Sequence, residues 1–131
     1  MNISGPVDGS EVLARIAGSS VVVLPSYTEG VPNVVLEAMM LGKPVIATPV
    51  GAIPEMLSFG GAEPCGVCVP VRDVDALRIA IQSLFKQSTY AQELGRRGRE
   101  RVVREYSPTA AYSQYKSIWE KAAIQLRYSS A

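Results

Sequence analysis

The stretch that decides the fold is residues 21–47, VVVLPSYTEGVPNVVLEAMMLGKPVIA, in which two short apolar runs flank a longer apolar segment. The first run, Val21–Leu24, is largely β-branched and stops at a proline, which predicts a strand buried on both faces. A polar loop follows it, and Pro32 suits the first position of a helix that ends just before Gly42. Residues 44–47 form the second short run. The stretch therefore predicts strand, loop, helix and strand in that order.

The alternation continues on both sides of this stretch. The further predicted elements are a helix over residues 11–18, a short helix from Pro54, a strand over 66–71 and a helix that Asp73 caps and that runs to about Lys86. Alternating strands and helices are typical of a parallel sheet in an α/β protein. We therefore predict a partial Rossmann-like parallel sheet flanked by helices, with its core in residues 1–86.

Residues 87–128 have a different pattern and are predicted to be helical. A break at Ser107-Pro108 divides them into helices over 89–106 and 108–127. The second helix carries apolar side chains three and four positions apart, a stripe that needs a partner surface. Its members are Tyr112, Tyr115, Trp119, Ala122 and Leu126. At 131 residues the chain is predicted to be a single domain.

The composition is that of an ordinary globular protein. Hydrophobic residues make up 47% of the chain, charged residues 19%, and the net charge is +1, so no bulk property points to nucleic acid or an anionic surface. The chain contains no histidine, which excludes a Ser-His-Asp triad, a Cys-His pair and a histidine-bearing zinc site built from it alone. No apolar run has the length of a membrane span and no signal peptide is evident, so we expect a cytoplasmic location.

Two cysteines form a C-x-x-C motif, Cys65-Gly66-Val67-Cys68. A redox motif needs its first cysteine at a helix N-terminus, but this pair leads into a predicted strand. No further cysteine or histidine is present to complete a structural zinc site. We interpret the pair as structural and expect no metal.

A segment rich in arginine raises binding to nucleic acid or a membrane surface as an alternative function. Its cations are Arg96, Arg97, Arg99, Arg101 and Arg104. Glutamates interleave with them, and no aromatic residue there suits base stacking. We interpret the segment as a solvated helix face and expect no nucleic-acid partner.

The helix predicted before Gly42 contains one carboxylate in apolar surroundings. From Val34 to Leu41 every residue except Glu37 is apolar, so Glu37 requires an internal partner or a ligand pocket. Helical side chains lean toward the helix N-terminus, which directs Glu37 back toward the loop that holds Glu29. That loop follows a strand of the predicted sheet, where α/β proteins bind ligands and where N–H groups at a helix start favour phosphate.

These observations describe a nucleotide-sugar site, in which backbone N–H groups hold phosphate and carboxylates accept hydrogen bonds from sugar hydroxyls. Each residue also has a plainer interpretation. Glu29 could be a solvated loop acid, Glu37 could be paired with a backbone N–H or an arginine, and residues 48–53 could be an ordinary strand-to-helix connection. The residues alone leave these alternatives open.

Several motifs follow one another in order along the chain. They are Leu24-Pro25-Ser26, then Glu29 and Glu37 separated by seven residues, the segment Pro32 to Met39, the segment Gly42 to Thr48, the loop Val50 to Glu55 and the strand Gly66 to Asp73. Together they resemble glycosyltransferase family 4, the group 1 transferases of the GT-B fold. Matches in the C-terminal helices extend the resemblance from about Gly5 to Trp119. The chain is identified as the C-terminal donor-binding portion of such an enzyme.

The resemblance implies an activity and a role for each site residue. Such enzymes transfer a sugar from a nucleoside diphosphate sugar to an acceptor hydroxyl, with retention at the anomeric carbon and no required metal or other cofactor. Glu29 would be the catalytic residue that contacts the donor sugar and its developing charge, and Glu37 would bind the ribose diol. The leaving diphosphate would deprotonate the acceptor. The implied donor-binding residues are Glu29, Gly30, Val31, Asn33, Val34, Glu37 and Gly51.

The chain also departs from the family pattern. The basic pair that clamps the diphosphate, the N-terminal acceptor domain and the first strands of the donor domain have no counterpart in it. We therefore expect a truncated nucleotide-sugar-binding domain, inactive alone, with a non-catalytic binding module as the alternative. Ala52 stands where the family usually has glycine. Missing strands would leave a sheet edge unpaired, which favours a homodimer, and peripheral membrane association of the full-length enzyme is a further expectation.

Overall fold

The structure, a computed structural model, describes residues 4–113 and 116. In this part of the chain three strands, β1 (Val22–Leu24), β2 (Val45–Ala47) and β3 (Val67–Cys68), alternate with helices. The helices are α1 (Gly9–Gly18), α2 (Asn33–Met40), α3 (Ile53–Met56), α4 (Val74–Lys86) and α5 (Ser88–Glu105). This order confirms the predicted α/β class.

The strands form one parallel sheet in the order β1-β2-β3. Val23 pairs with Ile46, which in turn pairs with Val67. The central strand β2 is fully buried, as predicted, whereas β1 is half-buried along its whole length. The prediction that β1 is buried on both faces is met only in part, because Val22 and Leu24 pack against one core cluster and Val23 against the other, but all three side chains stay half-buried. The reason is its position at the edge, where one side of its backbone has no strand partner among the described residues.

The third strand is shorter than the predicted segment 66–71. Only Val67–Cys68 pair regularly with β2, and the Val69 N–H adds one further bond to the Ala47 carbonyl at 2.9 Å. Pro70 has no N–H to continue the ladder. Arg72, with φ of +65°, then turns the chain into α4.

Helix α2 ends at the glycine that the sequence predicted. Gly42 has φ of +66°, and its N–H donates to the Met39 carbonyl at 2.9 Å while the Lys43 N–H donates to the Ala38 carbonyl at 2.9 Å. This pair of bonds satisfies the last carbonyls of the helix and requires a residue that tolerates a left-handed backbone. At the N-terminal end of α2, Pro32 is the N-cap, one position before the first helical residue, whereas the sequence placed it at the first helical position.

The core lies on both faces of the sheet. Alternate residues of a strand point to opposite faces, so Val45 and Ala47 join one cluster with α2 and α3, whereas Ile46 joins a second cluster with α4. Helix α5 contributes to both, through Leu94 in the second cluster and Val102 in the first. The sheet is thus covered by helices on its two faces, as the prediction requires.

One close backbone approach and two carboxylate caps define the helices that flank the sheet. A Cβ added at Gly95 in α5 would lie 2.1 Å from the Gly42 carbonyl oxygen, so the absence of a side chain lets α5 approach the end of α2. The Asp73 carboxylate accepts a bond from the Ala76 N–H at 2.8 Å and caps α4, as predicted. The Asp8 carboxylate caps α1 in the same way, which starts that helix two residues before the predicted position.

The predicted break between the C-terminal helices is present. Residues 108–113 are again helical, and the Ser107 hydroxyl accepts a bond from the Ala110 N–H at 3.1 Å. Tyr112, the first member of the predicted apolar stripe, is 69% exposed. The other members lie outside the described residues and are Tyr115, Trp119, Ala122 and Leu126. No helix within residues 4–113 and 116 combines the length and apolarity that a bilayer span needs.

Candidate functional site

The loops that follow β1, β2 and β3 meet at one edge of the sheet, because the strands are parallel. A cleft of about 240 Å³ opens there, between these loops and the first turns of α4. Its walls include Pro25 from the first loop, Thr48 from the second and Pro70 from the third, with Leu77 of α4 behind them. The cleft lies at the carboxyl ends of the strands, where the sequence predicts ligand binding, but none of the predicted donor-binding residues is among those that line it.

The first loop holds Glu29 through a local hydrogen bond. The Ser26 hydroxyl donates to a Glu29 carboxylate oxygen at 2.6 Å, and the Glu29 side chain is half-buried. Glu29 is thus not simply a solvated loop acid, because its position is fixed by a neighbour. Gly30 and Val31 follow it at the surface, and Val31 is 60% exposed.

The second loop is joined to the first by hydrogen bonds. Thr48 is only 2% exposed, and its hydroxyl donates to the Ser26 carbonyl at 2.5 Å. Farther along, the Ala52 N–H donates to the Gly30 carbonyl at 2.9 Å. The segment 48–53 is therefore more than a connection between a strand and a helix, since it supports the backbone that carries Glu29.

Gly51 lies where the two loops come closest. Its φ is +56°, and an added Cβ would lie 2.3 Å from the Glu29 carbonyl oxygen and 2.6 Å from the Gly30 carbonyl oxygen. Both the backbone conformation and the space therefore require glycine. The adjacent Ala52 has φ of −82°, which alanine adopts without strain, so its replacement of the usual glycine is accommodated.

The remaining predicted residues lie on α2. Asn33 is exposed at the first helical position, Val34 is half-buried, and Glu37 is half-buried in the second turn. The expected burial of α2 on most sides holds for the face that packs on the sheet, but Met40 is exposed on the opposite face. Among the described residues, the Glu37 carboxylate makes no hydrogen bond or ion pair. The alternative interpretation, in which Glu37 is a structural acid paired with a backbone N–H or an arginine, therefore has no support among the described residues.

The structure connects some predicted residues directly and not others. Backbone contacts bring Glu29 and Gly30 against Gly51. No described contact joins Glu29 to Glu37, so the convergence of the two carboxylates stays a prediction. In residues 4–113 and 116 no group of three potential metal ligands occurs.

Sequence reasoning missed one pair at this edge. The Arg72 guanidinium lies over the Tyr27 ring, 5.5 Å from its centroid. The two residues come from the loops after β3 and β1 and both line the cleft. No local pattern could have revealed the pair, because it depends on the positive φ of Arg72 and on the order of the strands.

The two cysteines are free thiols, one buried and one half-buried. Burial is the main cause that raises the pKa of the Cys65 thiol, and it raises the pKa of Cys68 to about 11. A redox-active pair requires the opposite shift, toward the thiolate. The direction of both shifts therefore supports the structural interpretation.

The arginines of α5 are largely paired within their own helix. Arg96 contacts Glu93 at 2.8 Å, and Arg97 contacts the same carboxylate at 2.8 Å. Arg101 pairs with Glu105 at 2.9 Å. These contacts agree with a charged helix face, while the expectation of no nucleic-acid partner stays a prediction.

The parallel sheet is covered by helices on both faces and carries the loops of the candidate site at the carboxyl ends of its strands, which defines an α/β domain of the Rossmann-like class. The model of the family described as "Glycosyl transferases group 1" matches residues 1–87, and the chain belongs to that family. The predicted family and its GT-B type of α/β fold are thereby confirmed.

Relatives and solved structures agree with this assignment. The chain is 31% identical over 126 residues to the MMP alpha-(1->4)-mannosyltransferase of Mycolicibacterium hassiacum, which covers 96% of the chain and 30% of the relative. It is 33% identical over 108 residues to the N-acetyl-alpha-D-glucosaminyl L-malate synthase of Bacillus anthracis, a match that covers 82% of this chain and 28% of that relative. Sucrose-phosphate synthase from Thermosynechococcus elongatus matches with a TM-score of 0.77 and 32% identity over 93% of the chain and 30% of that structure. The chain thus spans about 30% of the length of these proteins.

Proposed function

We propose that this chain forms part of the donor site of a retaining glycosyltransferase that uses a nucleoside diphosphate sugar. The observation that carries the proposal is the joined pair of loops at the carboxyl edge, which holds the Glu29 carboxylate through Ser26. The Glu37 carboxylate, which has no hydrogen-bond or ion-pair partner among the described residues, adds support. The names of the relatives, among them a mannosyltransferase, support a sugar as the transferred group.

In the proposed reaction the bond between the anomeric carbon and the diphosphate oxygen breaks, and a bond from the acceptor hydroxyl oxygen forms on the same face. The acceptor proton passes to the leaving diphosphate, so neither glutamate acts as a general base. Glu29 stabilises the positive charge that develops on the donor sugar. Its hydrogen bond from Ser26 holds the carboxylate in place before the charge appears.

The other residues of the site bind the donor. The N–H groups of Gly30, Val31, Asn33 and Val34 line the sugar and diphosphate at the start of α2, where the helix dipole favours negative charge. The Glu37 carboxylate accepts hydrogen bonds from both hydroxyls of the ribose. Gly51 supports the loop from behind. Metal is not required in this scheme, because these N–H groups and the basic residues of a complete enzyme carry the diphosphate.

The experiment that tests the proposal is calorimetric titration of the chain with UDP, GDP and ADP and with their glucose or mannose forms. One nucleotide should bind, and Glu37→Ala should weaken it about 10- to 100-fold, the value of hydrogen bonds to a charged acceptor. Glu63→Ala, at an exposed loop acid, is the matched control and should bind like the parent. Nucleotide binding that Glu37→Ala leaves unchanged would refute the proposed site, as would the absence of binding to every nucleotide.

Further parts of the proposal concern the partners of this chain and its cellular location. The donor half-site requires an acceptor domain for turnover, so we expect no sugar transfer by the 131 residues alone. The edge of β1 can pair with a second copy of the chain, and a monomeric mass by light scattering at high concentration would refute this dimer. A cytoplasmic location, with peripheral membrane association of a longer form, is part of the same proposal.

A further inference from the structure

We infer that Tyr27 and Arg72 form a subsite for an oxyanion, a phosphate or carboxylate group carried by a sugar substrate. The inference rests on the proposed function, because it assigns a charged group of a substrate to the cleft at the same edge. It concerns residues that have no part in the donor site proposed above.

The Arg72 side chain is available for an anion. Within the described residues it makes no ion pair with a carboxylate, whereas Arg96 and Arg101 of α5 are held by glutamates. Its guanidinium lies over the Tyr27 ring, 5.5 Å from the centroid. A guanidinium above an aromatic ring still has N–H groups to offer, and their fork geometry matches two oxygens of a phosphate or carboxylate.

The backbone of Arg72 also argues for a role beyond packing. Its φ of +65° lies in the left-handed region, which a residue with a Cβ adopts only at a cost in stability. Glycine or asparagine would occupy this position more easily. The strained conformation turns the chain between β3 and α4, and it sets the guanidinium over the ring of a loop that also carries Glu29.

The surroundings of the pair suit a negatively charged group on a small molecule. The cleft is open and mostly apolar, and Arg72 is the one cation among the residues that line it. Asp73 also lines the cleft and keeps its negative charge while it accepts a hydrogen bond from the Ala76 N–H at 2.8 Å, so the attraction of Arg72 for an anion must exceed the repulsion from Asp73. The N-terminus of α4 beside it adds partial positive charge.

The test is a titration of the isotope-labelled chain, followed by NMR, with glucose 6-phosphate, inorganic phosphate and the neutral methyl glucoside. Both phosphates should shift the signals of Tyr27 and Arg72, and methyl glucoside should not. Arg72→Gln should weaken binding of glucose 6-phosphate at least 10-fold, and Arg99→Gln, at an exposed arginine of α5 outside the cleft, should bind like the parent. Equal affinity of the parent and Arg72→Gln, or shifts confined to other residues, would overturn the subsite.

Arg72→Gly separates function from folding. Because glycine tolerates φ of +65°, this variant should unfold at the same temperature as the parent or higher, yet bind phosphate as poorly as Arg72→Gln. If Arg72→Gly binds glucose 6-phosphate as well as the parent, the guanidinium is not the ligand and the inference fails.

Titration of the same variants with UDP, GDP and ADP shows whether the bound anion belongs to a sugar phosphate or to the donor diphosphate. It also shows whether the subsite or the proposed donor site has failed. Weaker binding of the nucleotide as well as of glucose 6-phosphate in Arg72→Gln would keep the subsite and assign it to the donor diphosphate. Phosphate binding that depends on Arg72, without any nucleotide binding, would keep the subsite and refute the donor site. Nucleotide binding lost in Glu37→Ala, with no effect of Arg72→Gln on the binding of glucose 6-phosphate or of the nucleotide, would refute the subsite alone.

Discussion

Replacing Gly51 by alanine should destabilise the protein through two separable effects. The residue has φ of +56°, and a left-handed backbone costs about 1–2 kcal/mol for a residue with a Cβ. The new Cβ would also lie 2.3 Å from the Glu29 carbonyl oxygen. The loops must separate to relieve that contact, which adds about 1–2 kcal/mol from overpacking and from the lost bond between Ala52 and Gly30.

We therefore expect Gly51→Ala to lower the free energy of unfolding by about 3 kcal/mol in urea titrations, with a fall in Tm of roughly 10 °C for a chain of this size. Two glycines serve as matched controls. Gly60 has φ of +78° but open space around it, so Gly60→Ala shows the backbone cost alone. Gly18 has neither feature, so Gly18→Ala should be neutral or slightly stabilising. If Gly51→Ala costs no more than Gly60→Ala, the close approach of the two loops is refuted.

Three further changes test other contacts. Gly95→Ala ordinarily favours a helix, yet its Cβ would lie 2.1 Å from the Gly42 carbonyl oxygen, so urea unfolding should show a loss of about 2 kcal/mol; a gain would contradict the contact. Asp73→Ala should cost about 1 kcal/mol in the same assay because it removes the cap of α4, and Asp75→Ala, at an exposed acid of the same turn, should cost less than half as much. Burial raises the pKa of Cys68 to about 11, so the folded state disfavours the thiolate. Stability relative to Cys68→Ala should then fall as pH rises from about 9 to about 11, and a difference independent of pH would show that the thiol is not shielded.

Elements governed by local chemistry could be predicted from the sequence. The end of α2 follows from Gly42, because few other residues adopt its left-handed backbone. The start of α4 follows from Asp73, whose carboxylate finds an N–H three positions later. The burial of β2 follows from an unbroken apolar run, and it is correct because β2 is central in the sheet.

Features that depend on which strands, helices or loops are neighbours in three dimensions could not be predicted in the same way. Val21–Leu24 has the same apolar character as the run in β2, yet β1 is half-buried because it is at the edge. Sequence order does not state which glycines meet another backbone, so the contacts of Gly51 and Gly95 were not foreseen. For the candidate site, the motifs identified Glu29 and Glu37 as candidates, but the junction that fixes the Glu29 loop is visible only in three dimensions.

That junction limits how the site can change. The Ala52 N–H donates a hydrogen bond to the Gly30 carbonyl, and Gly51 packs directly against the backbone of Glu29. The two loops are therefore joined through their backbones, and a shift of one requires a shift of the other. Under the proposed function, a change in sugar preference should arise through side chains such as Val31, which is exposed at the surface, while the backbone that carries them keeps its shape.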